Sequence, residues 1–385
     1  MKKEQVFKTL RAYSMVIVLI VIALLFHFLT DGLIFTPMNL TNLILQNSYV
    51  VILILGMLPI ILTGSIDLSV GSVLAFVGAI AAIMQVNLNI GFLPTLLVSL
   101  IAGILIGAWQ GFWVAYFDIP AFIVTLSGEL VFRGLAQVVL DGASIGPFSN
   151  TFRAMAASFL PDLFGGTNLH ITTIVLAVIA CATFTFSQFK ARKDKAAHGV
   201  PVKSAGGMIV RIVLICLAIL FLSYEMATYQ GYPTVLIIML VLSLIYSFIC
   251  NRTVFGRSLY AIGGNRKAAA LSGIKDRKYL FLAFVNMGLM SAVAALIYAA
   301  RLNAATPKAG INFELDAIAA CFVGGASVTG GAGTIVGALI GCFVIGILNN
   351  GMSMLGVSAD WQQTVKGLVI LFAVVFDLLP KRRKK

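Results

Sequence analysis

The sequence consists of apolar runs of membrane-spanning length, separated by short polar intervals. A helix needs about 20 apolar residues to cross the hydrocarbon core of a bilayer, which is about 30 Å thick. In lipid the helix satisfies its own backbone hydrogen bonds, and long continuous apolar runs are typical of it. With 60% hydrophobic and 11% charged residues among 385, the composition excludes a water-soluble globular protein. We therefore expect an all-α, polytopic integral membrane protein with one transmembrane domain over residues 1–385.

The positive charge is distributed as membrane topology requires. Of the 27 Lys and Arg residues, 22 lie in the intervals 2–11, 190–211, 252–278 and 381–385. Cytoplasmic loops are enriched in Lys and Arg, so these intervals are expected on the inner side of the membrane. The net charge of +13 is therefore explained by basic loops on the inner side of a lipid membrane, and we expect no nucleic-acid partner. The alternation predicts eleven full spans and one short or re-entrant helix within 315–331, with both termini cytoplasmic.

Residues 253–275 form the longest polar, glycine-punctuated interval of the chain. A helix of about two turns is predicted from Asn265 to Ser272. Asn265 is a suitable N-cap, and Gly273 is suited to the residue that ends the helix. We interpret 252–278 as a cytoplasmic loop on which a partner acts.

A second basic interval, from 190 to 232, is predicted to be an inserted linker followed by a helical hairpin.

Two glycine-rich elbows occur at equivalent places in the predicted topology. Residues 64–79 and 325–338 each lead from a Gly, Ser and Thr turn into a helix of small residues. Transporters with internal repeats place broken helices at matching positions, whereas tight membrane turns require glycine in any case. Both interpretations stay open.

The triplets Gly103, Gly107, Gly111 and Gly333, Gly337, Gly341 predict smooth helix faces for close packing.

Candidate residues of a translocation path are the polar groups within or beside the spans. Charges there are costly unless they are paired or hydrated. Asp67 can cap a helix start or line the path, and Glu129 and Arg133 are spaced to form a buried ion pair on one helix face. The candidates for the path are Asp67, Ser69, Ser72, Glu129, Arg133, Asn349 and Asn350.

The chain has no evident catalytic apparatus of its own. The phosphate-binding pattern Gly-x4-Gly-Lys-Ser/Thr does not occur, so we expect no bound ATP and no other cofactor. The three histidines are isolated, the five cysteines have no metal spacing and no pairing is predicted, and no Ser/His/Asp set can be assembled. We predict no catalytic residues and no metal site.

Several segments together resemble the permease subunits of bacterial ABC importers for monosaccharides, the ribose/xylose permease family. The resemblance covers nearly the whole chain, and the length of the 190–232 interval is closer to the xylose or multiple-sugar type. The segments that carry it are Ile66–Gly71, Ile119–Leu126, Phe132–Gly134, Phe255–Asn265, Leu271–Ile274, Leu315–Ala320 and Asn350–Met354.

The resemblance implies a transporter subunit of the bacterial inner membrane that moves an aldose such as xylose by alternating access. It implies a second permease copy, a cytoplasmic ATP-binding subunit that hydrolyses ATP, and an extracytoplasmic sugar-binding protein. It also implies that the 252–278 loop couples to the ATP-binding subunit. The coupling residues expected on this basis are Gly256, Arg257, Tyr260, Gly263, Gly264, Asn265, Ala269, Ser272 and Gly273.

Three other functions stay open on the sequence. They are an ion-coupled secondary carrier for sugars, a membrane scaffold without transport, and an ABC permease for branched-chain amino acids.

Overall fold

The computed structural model describes residues 2–166, 169–199 and 205–382, and fifteen α-helices are its main elements there. A 3₁₀ turn at Leu33–Phe35 and a π-helical turn at Ile83–Asn87 complete them. The α-helices are α1 (Lys2–Leu29), α2 (Pro37–Leu62), α3 (Val70–Ala82), α4 (Phe92–Tyr116), α5 (Ala121–Val139), α6 (Asn150–Ala157), α7 (Ile171–Ala197), α8 (Ala205–Ala227), α9 (Thr234–Arg252), α10 (Val254–Gly264), α11 (Arg266–Leu271), α12 (Asp276–Leu302), α13 (Phe313–Val323), α14 (Ile335–Met354) and α15 (Ala359–Arg382).

The predicted all-α membrane architecture is confirmed. Nine helices of the described residues are long and apolar enough to cross a membrane. The apolar part of α1, Met15–Leu29, is shorter, and α13 has only 11 residues. The short helix expected near 315–331 is therefore α13, which ends before a non-helical stretch of 11 residues that precedes α14.

The core is built around α2 and α12. In α2, 78% of the apolar stretch is buried, compared with 6% in α8. The glycine face of α4 permits the closest contact with α12, because a Cβ at Gly107 would overlap the carbonyl oxygen of Phe284. This confirms the predicted packing role of Gly103, Gly107 and Gly111. In the second triplet Gly337 and Gly341 pack against α13, whereas Gly333 precedes α14 and lies outside the helix face.

The α7–α8 hairpin lies at the periphery and differs from the prediction. The interval after residue 189 was expected to be a linker, but α7 continues to Ala197 because its polar end follows the apolar helix without a breaking residue. The part of the linker at 200–204 lies outside the described residues. Cys181 and Cys216 face each other across the hairpin, with each thiol directed at the other residue's carbonyl oxygen at 3.8 and 4.0 Å. All five cysteines remain free thiols, as the sequence predicted.

The bundle has two distinct ends. At one end the turn between α4 and α5 meets α11 and the start of α12, and we call this the basic end. At the other end the α5–α6 connection meets the α12–α13 connection, where Ile145 and Ala305 form an isolated β-bridge. We call this the opposite end. Residues 141–166 lie there, and Leu160 donates its backbone N–H to the carbonyl oxygen of Tyr232 in the α8–α9 connection.

Candidate functional site

Two helix pairs are interrupted by non-helical elbows, as the sequence predicted. Elbow 1 (residues 63–69) joins α2 to α3, and elbow 2 (residues 324–334) joins α13 to α14. The elbows touch each other, because Gly330 of elbow 2 packs against the backbone of Gly64 in elbow 1. The backbone N–H of Gly331 also donates to the carbonyl oxygen of Leu62, the last residue of α2, at 2.9 Å. Gly64, Gly325, Gly330 and Gly331 all have positive φ angles, which only glycine adopts without strain.

The end of α10 completes this contact, and we call the meeting point the elbow junction. The hydroxyl of Tyr260 donates to the carbonyl oxygen of Gly333 in elbow 2 at 2.7 Å. At Gly263 the backbone of α10 lies so close to Leu62 and Gly331 that an added Cβ would overlap both. Helix α10 is therefore in contact with elbow 2 and with the end of α2 that leads into elbow 1.

The interval 253–264 was expected to be a loop, and that expectation was wrong. It forms α10, which begins where the Thr253 hydroxyl accepts a hydrogen bond from the N–H of Gly256. The sequence signal was weak because α10 contains three glycines and lacks a long apolar run. Arg257, in its second turn, donates to the carbonyl oxygen of Arg252 at 3.2 Å.

The predicted short helix is confirmed as α11. The Asn265 side chain accepts a hydrogen bond from the N–H of Ala268 at 3.0 Å, as an N-cap does. Gly273 has a φ of 83° and ends the turn that follows the helix. The Ser272 hydroxyl donates to the carbonyl oxygen of Ala268 at 2.9 Å. Within α11 only Ala269 is buried, and Leu271 is 91% exposed.

A charged cluster that sequence reasoning missed fixes the position of α11 at the basic end. Arg266 contacts Asp276 at 2.7 Å and Asp118 at 3.0 Å, and Arg277 also contacts Asp118 at 3.1 Å. The hydrogen bond with Asp276 and that with Asp118 raise the pKa of Arg266. Asp118 lies in the α4–α5 turn, so the cluster joins α11 to two spanning helices. Separations of 10 to 159 residues explain why spacing alone did not reveal it.

Polar candidates near elbow 1 form a buried network. The Asp67 carboxylate accepts hydrogen bonds from the backbone N–H and the hydroxyl of Ser69 at 2.8 and 2.7 Å. The Ser69 hydroxyl also accepts from the amide of Gln110 on α4 at 2.7 Å. Ser72, one turn later, donates to the carbonyl oxygen of Ser69. Asp67 thus stabilises the turn that precedes α3, and Gln110 is a partner that the sequence reading missed.

The predicted ion pair between Glu129 and Arg133 was wrong. None of the four ion-pair contacts in the described part of the chain joins them. The guanidinium of Arg133 instead donates to the carbonyl oxygens of Pro307, at 3.2 Å, and of Ala309. These carbonyls belong to the α12–α13 loop. They accept the hydrogen bonds of the Arg133 guanidinium, for which the helix spacing had predicted Glu129 as the partner.

The first turn of α13 carries two buried carboxylates that were not among the candidates. Glu314 is 7% exposed and packs beside Gly71 of α3. Asp316 forms an ion pair with Lys366 of α15 at 2.9 Å. Acidic residues are favoured in the first turn of a helix, and Lys366 is the only Lys or Arg between residues 309 and 380. Two acidic residues at a helix start and one isolated lysine were the sequence features that could have predicted this ion pair.

The two asparagines near the end of α14 have different roles. Asn350 exchanges two amide hydrogen bonds with Asn39 at the start of α2, at 2.9 and 3.0 Å, and both residues are buried. The side-chain oxygen of Asn349 is buried, and it has no hydrogen-bond partner in the described structure. Asn350 therefore holds α2 and α14 together at the opposite end.

The structure places the candidates at four locations. Six coupling candidates lie on α10 and α11, with Asn265 between these helices and Ser272 and Gly273 just after them, while Asp67, Ser69 and Ser72 cluster at the start of α3. Glu129 and Arg133 lie on α5, and the asparagines lie at the end of α14. Among the residues described, no group of three or more His, Cys, Asp or Glu side chains is arranged to hold a metal ion.

Comparison with known proteins places the fold in a family. Residues 39–374 match the sequence model of the family described as branched-chain amino acid transport system / permease component. No solved structure matches the chain.

Three relatives are similar over most of their length. The xylose transport system permease protein of Escherichia coli strain K12 is 39% identical over 97% of this chain and 93% of its own. The corresponding protein of Haemophilus influenzae is 38% identical over 97% of this chain and 98% of its own. The ribose import permease protein of Escherichia coli strain K12 is 36% identical over 89% of this chain and 86% of its own. The chain therefore belongs to the family of permease components that includes the bacterial xylose and ribose permeases.

Proposed function

We propose that this chain is the membrane-spanning permease subunit of an ABC importer that moves a monosaccharide into the cytoplasm by alternating access. The observation that carries the proposal is the elbow junction. One short helix, α10, contacts elbow 2 through Tyr260 and Gly263, and through Gly263 it also contacts Leu62, the last residue of α2 before elbow 1. Broken helices are the elements that rearrange in many transporters. A force on α10 would therefore reach the parts best able to move.

The energy source is a separate ATP-binding subunit that docks on α10 and α11. The sequence has no phosphate-binding loop of its own. Helix α11 is held in place by Arg266 but leaves most of its surface uncovered, including Leu271 at 91% exposure. An apolar side chain at a rigid, exposed position suits a hydrophobic contact with a partner. The residues that make this contact are Gly256, Arg257, Tyr260, Gly263, Gly264, Asn265, Ala269, Ser272 and Gly273.

The basic end faces the cytoplasm of a bacterium, and the chain lies in its plasma membrane with both termini inside. The excess of Lys and Arg at that end supports this orientation. A second copy of the permease, a sugar-binding protein on the outer side and the lipid bilayer are the further partners. The 190–232 interval is an insertion that extends α7 and adds α8 at the lipid-facing periphery.

The sugar is an aldose of the xylose type. The xylose permeases listed above match more of this chain, at higher identity, than the ribose permease does. The description of the family model favours a second candidate, a branched-chain amino acid. The buried polar network of Asp67, Ser69 and Gln110 supports a polyol cargo over an apolar one.

Substrate choice is tested by uptake in cells that lack their own xylose and ribose transporters. The chain is produced together with its ATP-binding subunit and its binding protein, and radiolabelled D-xylose, D-ribose and L-leucine are supplied separately. We expect accumulation of D-xylose above the other two. Accumulation of leucine without either sugar would refute the sugar assignment and support the second candidate.

A further inference from the structure

The opposite end of the bundle contains an open pocket between the end of α5 and the α12–α13 loop. Its volume is about 730 Å³. Pockets that bind small molecules measure about 300–1,000 Å³, so a monosaccharide with its hydration water fits. The side chains that line it and can hydrogen-bond are Gln137, Asp141, Ser144, Thr306 and Lys308.

The lining is suited to hydroxyl groups. It offers an amide, a carboxylate, two hydroxyls and an ammonium group, and therefore both donors and acceptors. A sugar can pair with all of them, and Val138 and Pro307 add apolar surface for its C–H groups. An apolar cargo would displace water from these polar groups without replacing the hydrogen bonds.

One wall of the pocket is held by Arg133. This residue immediately precedes Gly134, which lines the pocket, and its guanidinium donates to the carbonyl oxygen of Pro307, another lining residue. A second hydrogen bond to Ala309 holds the same loop. The contact thus ties the α12–α13 loop to α5 beside the pocket.

Behind this contact lies a buried acceptor that has no partner. Glu314 follows the loop, is 7% exposed, and its Oε2 atom accepts no hydrogen bond from the described residues. Oε2 lies beside the point where Gly71 and Gly310 pack backbone against backbone. Buried polar groups are normally satisfied, so an unpaired carboxylate oxygen here indicates a position for a donor such as a sugar hydroxyl.

We propose that the pocket between α5 and the α12–α13 loop receives the monosaccharide from outside, and that Arg133 closes its inner side. The inference rests on the proposed import function and adds the place of entry. Glu314 is then the first acceptor that the sugar meets once Arg133 releases the loop.

The test uses the full complex in proteoliposomes, with ATP inside the vesicles and the sugar-binding protein outside. Uptake is measured with whichever of D-xylose and D-ribose the wild-type complex accumulates, and ATP hydrolysis is measured in parallel. Gln137→Leu and Thr306→Val remove hydrogen-bonding groups from the pocket at nearly constant volume. We expect each to lower uptake by about tenfold, while hydrolysis stimulated by the loaded binding protein stays at the wild-type level.

Gln85→Leu is the matched control, because Gln85 lies at the same end but bonds to Ser149 outside the pocket. Uptake by the pocket variants equal to that of the control would overturn the inference. A parallel loss of uptake and of stimulated hydrolysis would also overturn it, because the surface would then bind the binding protein. Absence of wild-type uptake of both sugars would refute the import function, and the inference with it.

A second measurement does not depend on hydrogen-bond deletion. A membrane-impermeant maleimide is applied to Ser144→Cys, inside the pocket, and to Asn150→Cys, on α6 beyond it. The five native cysteines lie in α7, α8, α9, α13 and α14 and are partly or fully buried. Modification of Ser144→Cys should abolish uptake and that of Asn150→Cys should not. Equal effects at both positions would contradict entry through the pocket.

Discussion

At the residue scale, the contact between α10 and the elbows depends on one absent side chain and one hydroxyl. Gly263 allows the backbone of α10 to approach Leu62 and Gly331. Its neighbour Gly264 has no atom within 4 Å of an added Cβ. Two adjacent glycines therefore have opposite tolerance for alanine, although the sequence reading grouped them as coupling residues.

Gly263→Ala should disrupt the elbow junction. The new methyl group overlaps backbone atoms of Leu62 and Gly331, so α10 must move away from both elbows. We expect loss of most ATP-driven uptake and destabilisation of about 1–3 kcal/mol, measured by thermal unfolding in detergent. Gly264→Ala is the matched control and should fold and transport as the wild type does. Comparable behaviour of the two variants would contradict the close approach.

Tyr260→Phe removes only the hydroxyl that donates to Gly333 at 2.7 Å. The loss of one hydrogen bond costs about 1 kcal/mol, so the protein should remain folded. We expect ATP hydrolysis to continue while the amount of sugar taken up per ATP falls. Tyr279→Phe serves as the control, since no hydrogen bond of its hydroxyl occurs in the described structure. An unchanged ratio of sugar to ATP in Tyr260→Phe would mean that this bond transmits no movement.

At the element scale, α13 is a short helix of the buried bundle, and its position depends on its first turn. Glu314 lies against α3, and Asp316 is paired with Lys366 of α15. The helix is also packed against α14 through Gly337 and Gly341. With only 11 residues, α13 relies on these neighbours more than on its own length.

Lys366→Met should destabilise the packing of α15 on α13. The carboxylate of Asp316, which is largely buried, would lose its partner, and such a loss costs about 3–5 kcal/mol. The double variant Asp316→Asn/Lys366→Met removes both charges and should recover much of the stability. Thermal unfolding in detergent measures both. The exposed Lys267→Met is the control and should have little effect. A double variant less stable than either single variant would argue against the pair.

At the scale of the whole molecule, the membrane-spanning helices could be predicted from the sequence, whereas the contacts between distant side chains and backbone groups could not. The spans follow from apolar length, because every spanning helix must be about as long as the bilayer is thick. Helix α10 was missed because it is short, polar and rich in glycine. The partners of Arg133 were missed because they are backbone carbonyls 174 and 176 residues away, which no spacing rule reaches.

The functional assignment was more predictable than the site. The motifs around Asp67, α10 and α11 indicated the family, and the capped helix α11 was located from Asn265 and Gly273 alone. The junction of both elbows with α10 required the tertiary structure, because it consists of backbone contacts at Leu62, Gly263 and Gly331. The only sequence feature of such a backbone contact is a glycine, and glycines also occur in turns and in helix packing, so the contact cannot be predicted from them.

The central claim is that ATP hydrolysed on another subunit drives a sugar through this chain. The most direct measurement is accumulation of radiolabelled D-xylose in proteoliposomes that contain the permease, with the sugar-binding protein outside, with or without the ATP-binding subunit and with or without a proton or sodium gradient. We predict accumulation only when the ATP-binding subunit and ATP are both present, whatever the gradient. Accumulation that follows the ion gradient and persists without the ATP-binding subunit would contradict the account and identify an ion-coupled carrier.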